Sequence, residues 1–186
     1  MKIRQFAFIA TLLTLASIAG SGLPPAGPTP TGGATDGGPA GAEPVGNTKV
    51  VDLNGLSDVE FGDTEQELAR RGILRAEVDT CGPLLTGHET VSPIFVDERL
   101  VLLWAGEPMS TPEGVTVGTP LPDVRARYPA VSRLDAPQGT YRFDGLLARR
   151  GDRAYLFLHD GRVVRKVIAG YADWARRLFD EGHGPC

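Results

Sequence analysis

Apolar and polar residues alternate along four short segments in the C-terminal half of the chain. Alternation with a period of two is typical of strands that bury one face. The pairs that separate these segments, Asp144-Gly145, Gly151-Asp152 and Asp160-Gly161, suit tight hairpin turns. The pattern therefore predicts an antiparallel meander whose strands are Tyr141–Phe143, Leu146–Arg149, Ala154–Leu158 and Arg162–Ala169.

A similar hairpin is predicted earlier in the chain. There Val91–Val96 and Arg99–Trp104 flank the turn Asp97-Glu98. Pro93 has no amide hydrogen to donate to a neighbouring strand, so its strand is expected at a sheet edge or with an irregular start.

Two short helices are predicted, one ahead of each set of strands. Asp63 or Thr64 can cap the first, with Gln66 or Glu67 three residues on as the reciprocal partner. In the second, Thr119 is the expected cap, prolines occupy the first turn, and the helix must end at Tyr128 because a proline follows. Leu68 and Val124 hold matching places in the two helices, and both are expected to face the core.

A third helix is predicted at the end of the chain. Within Tyr171–Glu181, apolar residues recur at helical spacing, which indicates a helix with one buried face. Its aromatic residues are interpreted as core residues.

Two stretches of the chain read alike. Val59-Glu60-Phe61-Gly62-Asp63 and Val115-Thr116-Val117-Gly118-Thr119 each open a helix, and the strands that follow each end on Ala-Gly. Internal repeats of this kind indicate duplicated structural units. The sequence therefore predicts an α+β fold of two tandem repeats, 49–107 and 108–186, each a short helical segment followed by an antiparallel β-meander, with a C-terminal helix after the second.

This arrangement resembles the β-lactamase inhibitor proteins and, more distantly, the small outer-membrane assembly lipoproteins. The recurring entry into a capped helix, at Val59–Asp63 and Val115–Thr119, carries the resemblance. The resemblance implies a non-enzymatic, protein-binding role. Members of the inhibitor family carry a disulfide inside each repeat, whereas here Cys81 is the only cysteine before Cys186, and the lipid-anchored relatives need an N-terminal cysteine that this sequence lacks.

The N-terminal residues predict export from the cytoplasm. Lys2 and Arg4 precede an apolar run from Phe6 to Ile18, with small residues after it, so residues 1–20 are expected to be a signal peptide. Residues 21–48 hold 8 Gly and 6 Pro with almost no apolar side chains, which predicts a disordered linker. The mature protein is expected to be secreted or extracytoplasmic, with no stable membrane span.

The chain has two cysteines, and in an oxidising compartment they are expected to pair. A Cys81–Cys186 disulfide would tie the end of the chain to the first repeat. The alternatives are an intermolecular bridge and a metal site that recruits His183. Two ligands fall short of the four that zinc prefers, so no metal is expected.

Motifs for enzyme chemistry are not found in the sequence. It has no nucleophile elbow, phosphate-binding loop with lysine, dinucleotide fingerprint or zinc-protease helix. The three histidines fall in turns, loops or the tail, and solvated turn residues would explain all of them. A triad of Ser92 or Ser132 with His159 and an Asp stays open as an alternative, because triad members need not be neighbours in sequence. The chain is thus expected to be no enzyme and to need no cofactor.

Charge separates the two halves. Residues 49–120 carry 5 basic and 13 acidic side chains, whereas 121–186 carry 12 basic and 8 acidic ones. The difference could reflect attraction between the repeats, or a basic sheet face for an acidic partner. The candidate binding residues are the arginines of the second meander and two tyrosines: Arg142, Arg149, Arg153, Arg162, Arg165, Tyr141 and Tyr155.

Three functions follow as hypotheses. The first is a protein-binding module, of which an inhibitor is one form, whose partner is an extracellular or envelope protein. The second is recognition of an anionic envelope polymer by the arginine face, which salt would weaken. The third is an extracellular hydrolase with an unrecognised site. Nucleic acid is disfavoured by the net charge of −4 and by the expected export.

Overall fold

The computed structural model describes residues 49–76 and 82–182, which belong to one compact unit. The elements of this part of the chain confirm a mixed fold of helices and antiparallel strands. In chain order they are α1 (Glu65–Arg70), β1 (Leu74–Arg75), β2 (Leu84–Leu85), β3 (Val91–Val96), β4 (Arg99–Ala105), α2 (Leu121–Arg127), β5 (Ser132–Leu134), β6 (Asp144–Arg150), β7 (Arg153–His159), β8 (Val164–Tyr171) and α3 (Ala172–Glu181).

Six strands form one antiparallel sheet in the order β3-β4-β8-β7-β6-β5. The strands β1 and β2 pair only with each other, as a separate two-stranded ribbon. The strand β3 is therefore an edge, as Pro93 predicts, and the short strand β5 is the other edge. The pairing of β4 with β8 joins the earlier hairpin to the later meander in a single sheet.

Both faces of the sheet are covered, but by different elements. On one face, α3 packs through Ala175, Leu178 and Phe179 onto strand residues such as Leu156 and Ile168. On the other face, α1, α2 and the segments that precede them form a second apolar core. Leu68 and Val124 are fully buried in that core, which confirms the prediction that both face inward.

The cap of α1 is the capping box that the sequence predicts. The hydroxyl of Thr64 accepts a hydrogen bond from the amide of Glu67 (3.2 Å), and the carboxylate of Glu67 accepts one from the amide of Thr64 (3.0 Å). The two bonds satisfy amides that the first turn would otherwise leave unpaired.

The start of α2 differs from the prediction. Its N-cap is Pro120 rather than Thr119, and no side chain caps it. The hydroxyl of Thr119 instead accepts a hydrogen bond from the amide of Thr116 (3.0 Å). A side-chain cap is less needed here because Pro122 has no amide hydrogen and the amide of Leu121 already donates to the carbonyl of Arg162 (3.1 Å).

The prediction for the second meander is wrong at its start. Residues 141–143 form no strand, and Asp144-Gly145 is the beginning of β6 rather than a turn. Packing leaves little room for a side chain there, since a Cβ atom on Gly145 would lie 3.1 Å from the ring of Phe179. The partner of β6 on this side is β5, which the alternation pattern did not reveal.

The two glycine motifs make the same backbone hydrogen bonds. The amide of Gly62 donates to the carbonyl of Leu100 (2.9 Å), and the amide of Leu100 donates to the carbonyl of Asp63 (2.9 Å). In the same way, Gly118 donates to Val164 (2.8 Å) and Val164 donates to Thr119 (2.9 Å). Each motif thus fastens the approach to a helix to the beginning of a central strand.

The hairpins β3–β4 and β7–β8 also match in register. In the first, Ile94 lies opposite Leu102 but Phe95 lies opposite Leu100, so one extra residue bulges from β4. In the second, Leu158 lies opposite Lys166 but His159 lies opposite Val164, with the same one-residue bulge in β8. Adding 64 to the number of each of these four residues in the first hairpin gives the number of the equivalent residue in the second.

Several predictions concern residues outside the described ranges. These are the signal peptide (1–20), the linker (21–48), the Cys81–Cys186 pairing and the position of His183. Within the described ranges, no helix combines the length and the hydrophobicity needed to cross a lipid bilayer.

Candidate functional site

An apolar groove lies between α3 and the outer strands of the sheet, with a volume of about 320 Å³. We call it the α3 groove. Its floor comes from β3 and β4 and its wall from α3, with two charged side chains on the helix side. The lining residues are Ile94, Val96, Val101, Leu102, Trp174, Arg177, Leu178 and Glu181.

The groove exists because α3 is too small to cover its side of the sheet. A helix of 10 residues is about 15 Å long. Six strands at a spacing of about 4.8 Å make a sheet about 24 Å wide. The helix packs mainly over β7 and β8, so apolar residues of β3 and β4, including Ile94, Val96 and Trp104, stay only partly buried.

A second depression of about 250 Å³ continues the α3 groove towards the hairpin turn. It shares Val96, Val101 and Trp174 with the groove and adds Arg99 and Tyr171. Together the two depressions follow the end of the edge strand β3. Edge strands present unpaired backbone groups that a further strand can use.

Cations lie over both tryptophan rings on this face. The ammonium group of Lys166 is 4.5 Å from the centre of the Trp104 ring, and the guanidinium of Arg177 is 5.1 Å from that of Trp174. Arg177 also bonds to Glu181 at 2.6 Å. Aromatic and arginine side chains of this kind are enriched in protein–protein interfaces.

The five predicted arginines do not lie together on one sheet face. Arg149 reaches Asp173 of α3 at 3.4 Å, whereas Arg153 stacks over the ring of Tyr171 at 3.6 Å and over Phe61 in the other core. Arg142 lies at the C-terminal end of α3, where it donates to the carbonyl of Asp180 (3.2 Å).

The other two arginines lie by the β7–β8 turn. Arg165 bonds to Asp160 at 2.7 Å, and the backbone amide of Arg162 donates to that same carboxylate (2.9 Å). Hydrogen bonds from the Val163 and Arg162 amides, joined by Arg165, hold the pKa of Asp160 well below its usual range. The expected continuous arginine face is therefore not formed, because the fold distributes these side chains over both faces and the turn.

The two predicted tyrosines have opposite environments. Tyr141 is fully exposed in the loop before β6. Tyr155 is only 3% exposed; its ring packs against Tyr128 and Phe157, and its hydroxyl donates to the carbonyl of Val51 (3.3 Å). The structure thus places the ring of Tyr155 in the core rather than at the surface, and burial raises the pKa of this tyrosine.

His88 was expected to be solvated, and the structure buries it. Its Nε2 lies 2.6 Å from Oδ1 of Asp58, and its Nδ1 is buried without a hydrogen-bond partner among the described residues. The hydroxyl of Ser57 bonds to Asp58 rather than to the histidine (3.4 Å). Among the described residues, the histidine is therefore hydrogen-bonded to a carboxylate and to no hydroxyl, and the pair links two loops of the first half.

His159 is buried as well, at 4% exposure, although it stands beside a hairpin turn. Its Nδ1 accepts a hydrogen bond from the amide of Gly161 (3.1 Å), while Nε2 has no partner among the described residues. Burial lowers the pKa of His159. Neither Ser92 nor Ser132 is hydrogen-bonded to it, so the triad left open by the sequence does not assemble around this histidine.

The described residues hold no cluster of three or more His, Cys, Asp or Glu side chains that could bind a metal ion. The α3 groove was not predicted from the sequence, because the aromatic residues of the last helix were interpreted as core residues. The available signal was the single apolar stripe of α3, which cannot bury every apolar residue of a sheet this wide.

Comparison of the chain with protein-family models, with curated proteins and with solved structures finds no match. The function of the chain is therefore inferred from the geometry of the molecule.

Proposed function

We propose that this chain is a non-enzymatic protein-binding module, and that the α3 groove holds an extended segment of another protein. The observation that carries the proposal is the half-open apolar surface of Ile94, Val96 and Trp174 beside the edge strand β3. Contiguous apolar surface rimmed by polar groups is typical of interaction sites.

The chemistry of the groove favours one kind of partner segment. Adding a strand to β3 would supply backbone hydrogen bonds, and alternate side chains of the added strand would point into the apolar groove. Lys166, Arg177 and Arg99 stand near this surface, against Glu181, which is paired with Arg177, and Asp97, so positive groups exceed negative ones here by one. The expected segment is therefore extended, with apolar side chains alternating with acidic ones.

A photo-crosslinking experiment tests the proposal on the full chain in its own host. A photoreactive phenylalanine analogue replaces Val96 in the groove and, as a matched control, Arg162 at the distant β7–β8 turn. The expected result is one dominant protein adduct from position 96 that persists at high salt and is absent from position 162. Equal adducts from both positions, or none from position 96, would contradict the proposal.

A second variant checks that the adduct depends on the groove itself. Ile94→Glu places a charge on the apolar floor and should remove the position-96 adduct, while Arg162→Gln should leave it unchanged. Circular dichroism melting curves of both variants show whether the fold is kept. An adduct that survives Ile94→Glu in a folded protein would contradict the proposal that the apolar floor holds the partner.

The proposal for an anionic polymer is weaker than the protein-binding one. It needs a continuous arginine face, whereas Arg149 pairs with Asp173, Arg165 pairs with Asp160, and Arg153 stacks on the opposite side of the sheet. A polymer held mainly by charge would leave at moderate salt. Salt elution of the captured material therefore separates these two hypotheses.

We also propose that the molecule arose by duplication of a unit made of a glycine motif, a helix and a hairpin. Support comes from the identical hydrogen bonds of the two motifs and from the shared bulge. The pairing of Trp104 with Ile168, which are themselves 64 residues apart, lies on the local two-fold axis that such a duplication would create. The resemblance to the β-lactamase inhibitor proteins is compatible with this origin, as is a secreted location.

A further inference from the structure

A second pocket lies on the face of the sheet opposite α3. It has a volume of about 230 Å³ and combines an aromatic and aliphatic floor with charged side chains at its mouth. We call it the arginine pocket. Its lining includes Leu53, Tyr128, Ala130, Ala148 and Tyr155, together with Glu113, Arg127, Arg149 and Arg150.

The charged groups of this pocket do not balance. Glu113 accepts a hydrogen bond from the hydroxyl of Tyr128 and lies 3.9 Å from the guanidinium of Arg150. Arg127 donates to a neutral group, the carbonyl of Gly114 (2.8 Å), and has no carboxylate within 4 Å among the described residues. One carboxylate thus faces two guanidinium groups.

The other residues of the pocket do not change this excess of positive charge. The guanidinium of Arg149 is directed to Asp173 at 3.4 Å, so this arginine adds to the pocket wall more than to its charge. The ring of Tyr128 packs against Tyr155 and Phe157, and burial raises the pKa of Tyr128, so its hydroxyl stays a donor. The floor is therefore apolar, and packing holds its rings in position.

We infer that the arginine pocket binds an oxyanion, a carboxylate or a phosphate, carried on a small apolar group. The guanidinium forks of Arg127 and Arg150 would hold the oxyanion, since planar guanidinium groups match the geometry of carboxylate and phosphate oxygens. The apolar group would lie on Ala148 and the two tyrosine rings. This site is independent of the α3 groove, because the two lie on opposite faces of the sheet.

The test uses benzoate, phenyl phosphate and the neutral isostere benzamide with the full chain. Methyl NMR signals of Ala130 and Ala148 are followed as each compound is added. Benzoate or phenyl phosphate should shift these signals in a saturable way, and benzamide should not. The tighter of the two anions shows which oxyanion the site prefers.

Three variants complete the design. Arg150→Gln and Arg127→Gln should each weaken binding of the anion at least fivefold, whereas Arg162→Gln, far from the pocket, should leave it unchanged. The inference would be overturned by equal shifts with benzamide, by no saturable shift with either anion, or by equal affinity in all three variants. Each variant's NMR spectrum reports on its fold, and failure here leaves the groove proposal untouched.

Discussion

The hairpins β3–β4 and β7–β8 share one backbone plan but occupy different places in the sheet. Both bulge at the same position, and both begin their second strand against a glycine motif. The hairpin β7–β8 is central, and residues such as Leu156, Phe157 and Ile168 are fully buried. The hairpin β3–β4 is at an edge, and Ile94 and Val96 are only partly buried.

The two hairpins pair their strands in the same way and differ in whether a helix covers them. In this fold, cover by α3 therefore decides which apolar residues form the core and which stay available for binding. The same register produces a closed core under α3 and an open groove beside it. Substitutions at the central hairpin should therefore affect mainly stability, and substitutions at the edge hairpin mainly binding.

The largest expected effect concerns two glycines that the 64-residue displacement matches. Gly170 has a φ of +146°, and a Cβ atom there would lie 2.2 Å from the carbonyl oxygen of Val101, whereas the closest atom to a Cβ on Gly106 is at 3.0 Å. Gly170→Ala should lower the free energy of unfolding by about 4 kcal/mol. Gly106→Ala should cost about 1 kcal/mol, because only a small shift is needed. Urea unfolding of both variants measures the difference, and equal losses would contradict the prediction that the central glycine is the more constrained of the two.

The next effect compares two aliphatic residues on the α3 side of the sheet. Leu156→Ala leaves a cavity beneath α3 and should cost about 3 kcal/mol. Ile94→Ala removes a side chain that is already partly solvated and should cost about 1 kcal/mol. If Ile94→Ala destabilised the fold as much as Leu156→Ala in urea unfolding, the edge hairpin would be core and the groove proposal would fail.

The smallest effect is a pH dependence of the central hairpin. His159 occupies the place that Phe95 holds in the edge hairpin. Its pKa is lowered by burial and by Arg125 and Arg133, while Asp144 and Asp160 act in the other direction. As the pH falls, the histidine is therefore protonated in the unfolded chain before it is protonated in the folded one. The free energy of unfolding decreases as the pH falls below about 6.5, the ordinary histidine pKa, towards the lower pKa of the folded state.

His159→Phe should remove that loss. Melting temperatures from pH 8 to pH 5 should fall more steeply for the natural chain than for the variant. Normalising each profile to its value at pH 8 corrects for packing changes and for the lost bond to the Gly161 amide. Parallel profiles would show that His159 does not contribute.

Local signals in the sequence were sufficient for most elements. The capping pair Thr64 and Glu67 locates α1, and the apolar stripe of the last segment locates α3 at Ala172–Glu181. These signals succeed because they depend on residues a few positions apart. The pairing of β4 with β8 has no such signal, since its partners lie far apart along the chain.

The same limit explains the errors. Asp144-Gly145 has the composition of a turn, but tertiary packing against Phe179 uses the glycine inside a strand. His88 and His159 stand beside turns, yet neighbouring segments bury both. For the candidate site, the sequence identifies the aromatic residues and the arginines but not their positions in the fold. The position of α3 over the sheet decides which of these side chains stay exposed.

The register of the central strands has a consequence for how the chain folds. The strand β4 can pair with β3 as soon as both are synthesised, but it can pair with β8 only after residues such as Ala169, which lies opposite Leu103, have been synthesised. Such distant pairing slows folding, since a long loop must close before the contact forms. A nascent chain therefore exposes the β3–β4 hairpin, with the free edge of β4 unpaired, until β8 has emerged. That interval is when the chain would be most vulnerable to aggregation and would gain most from a chaperone.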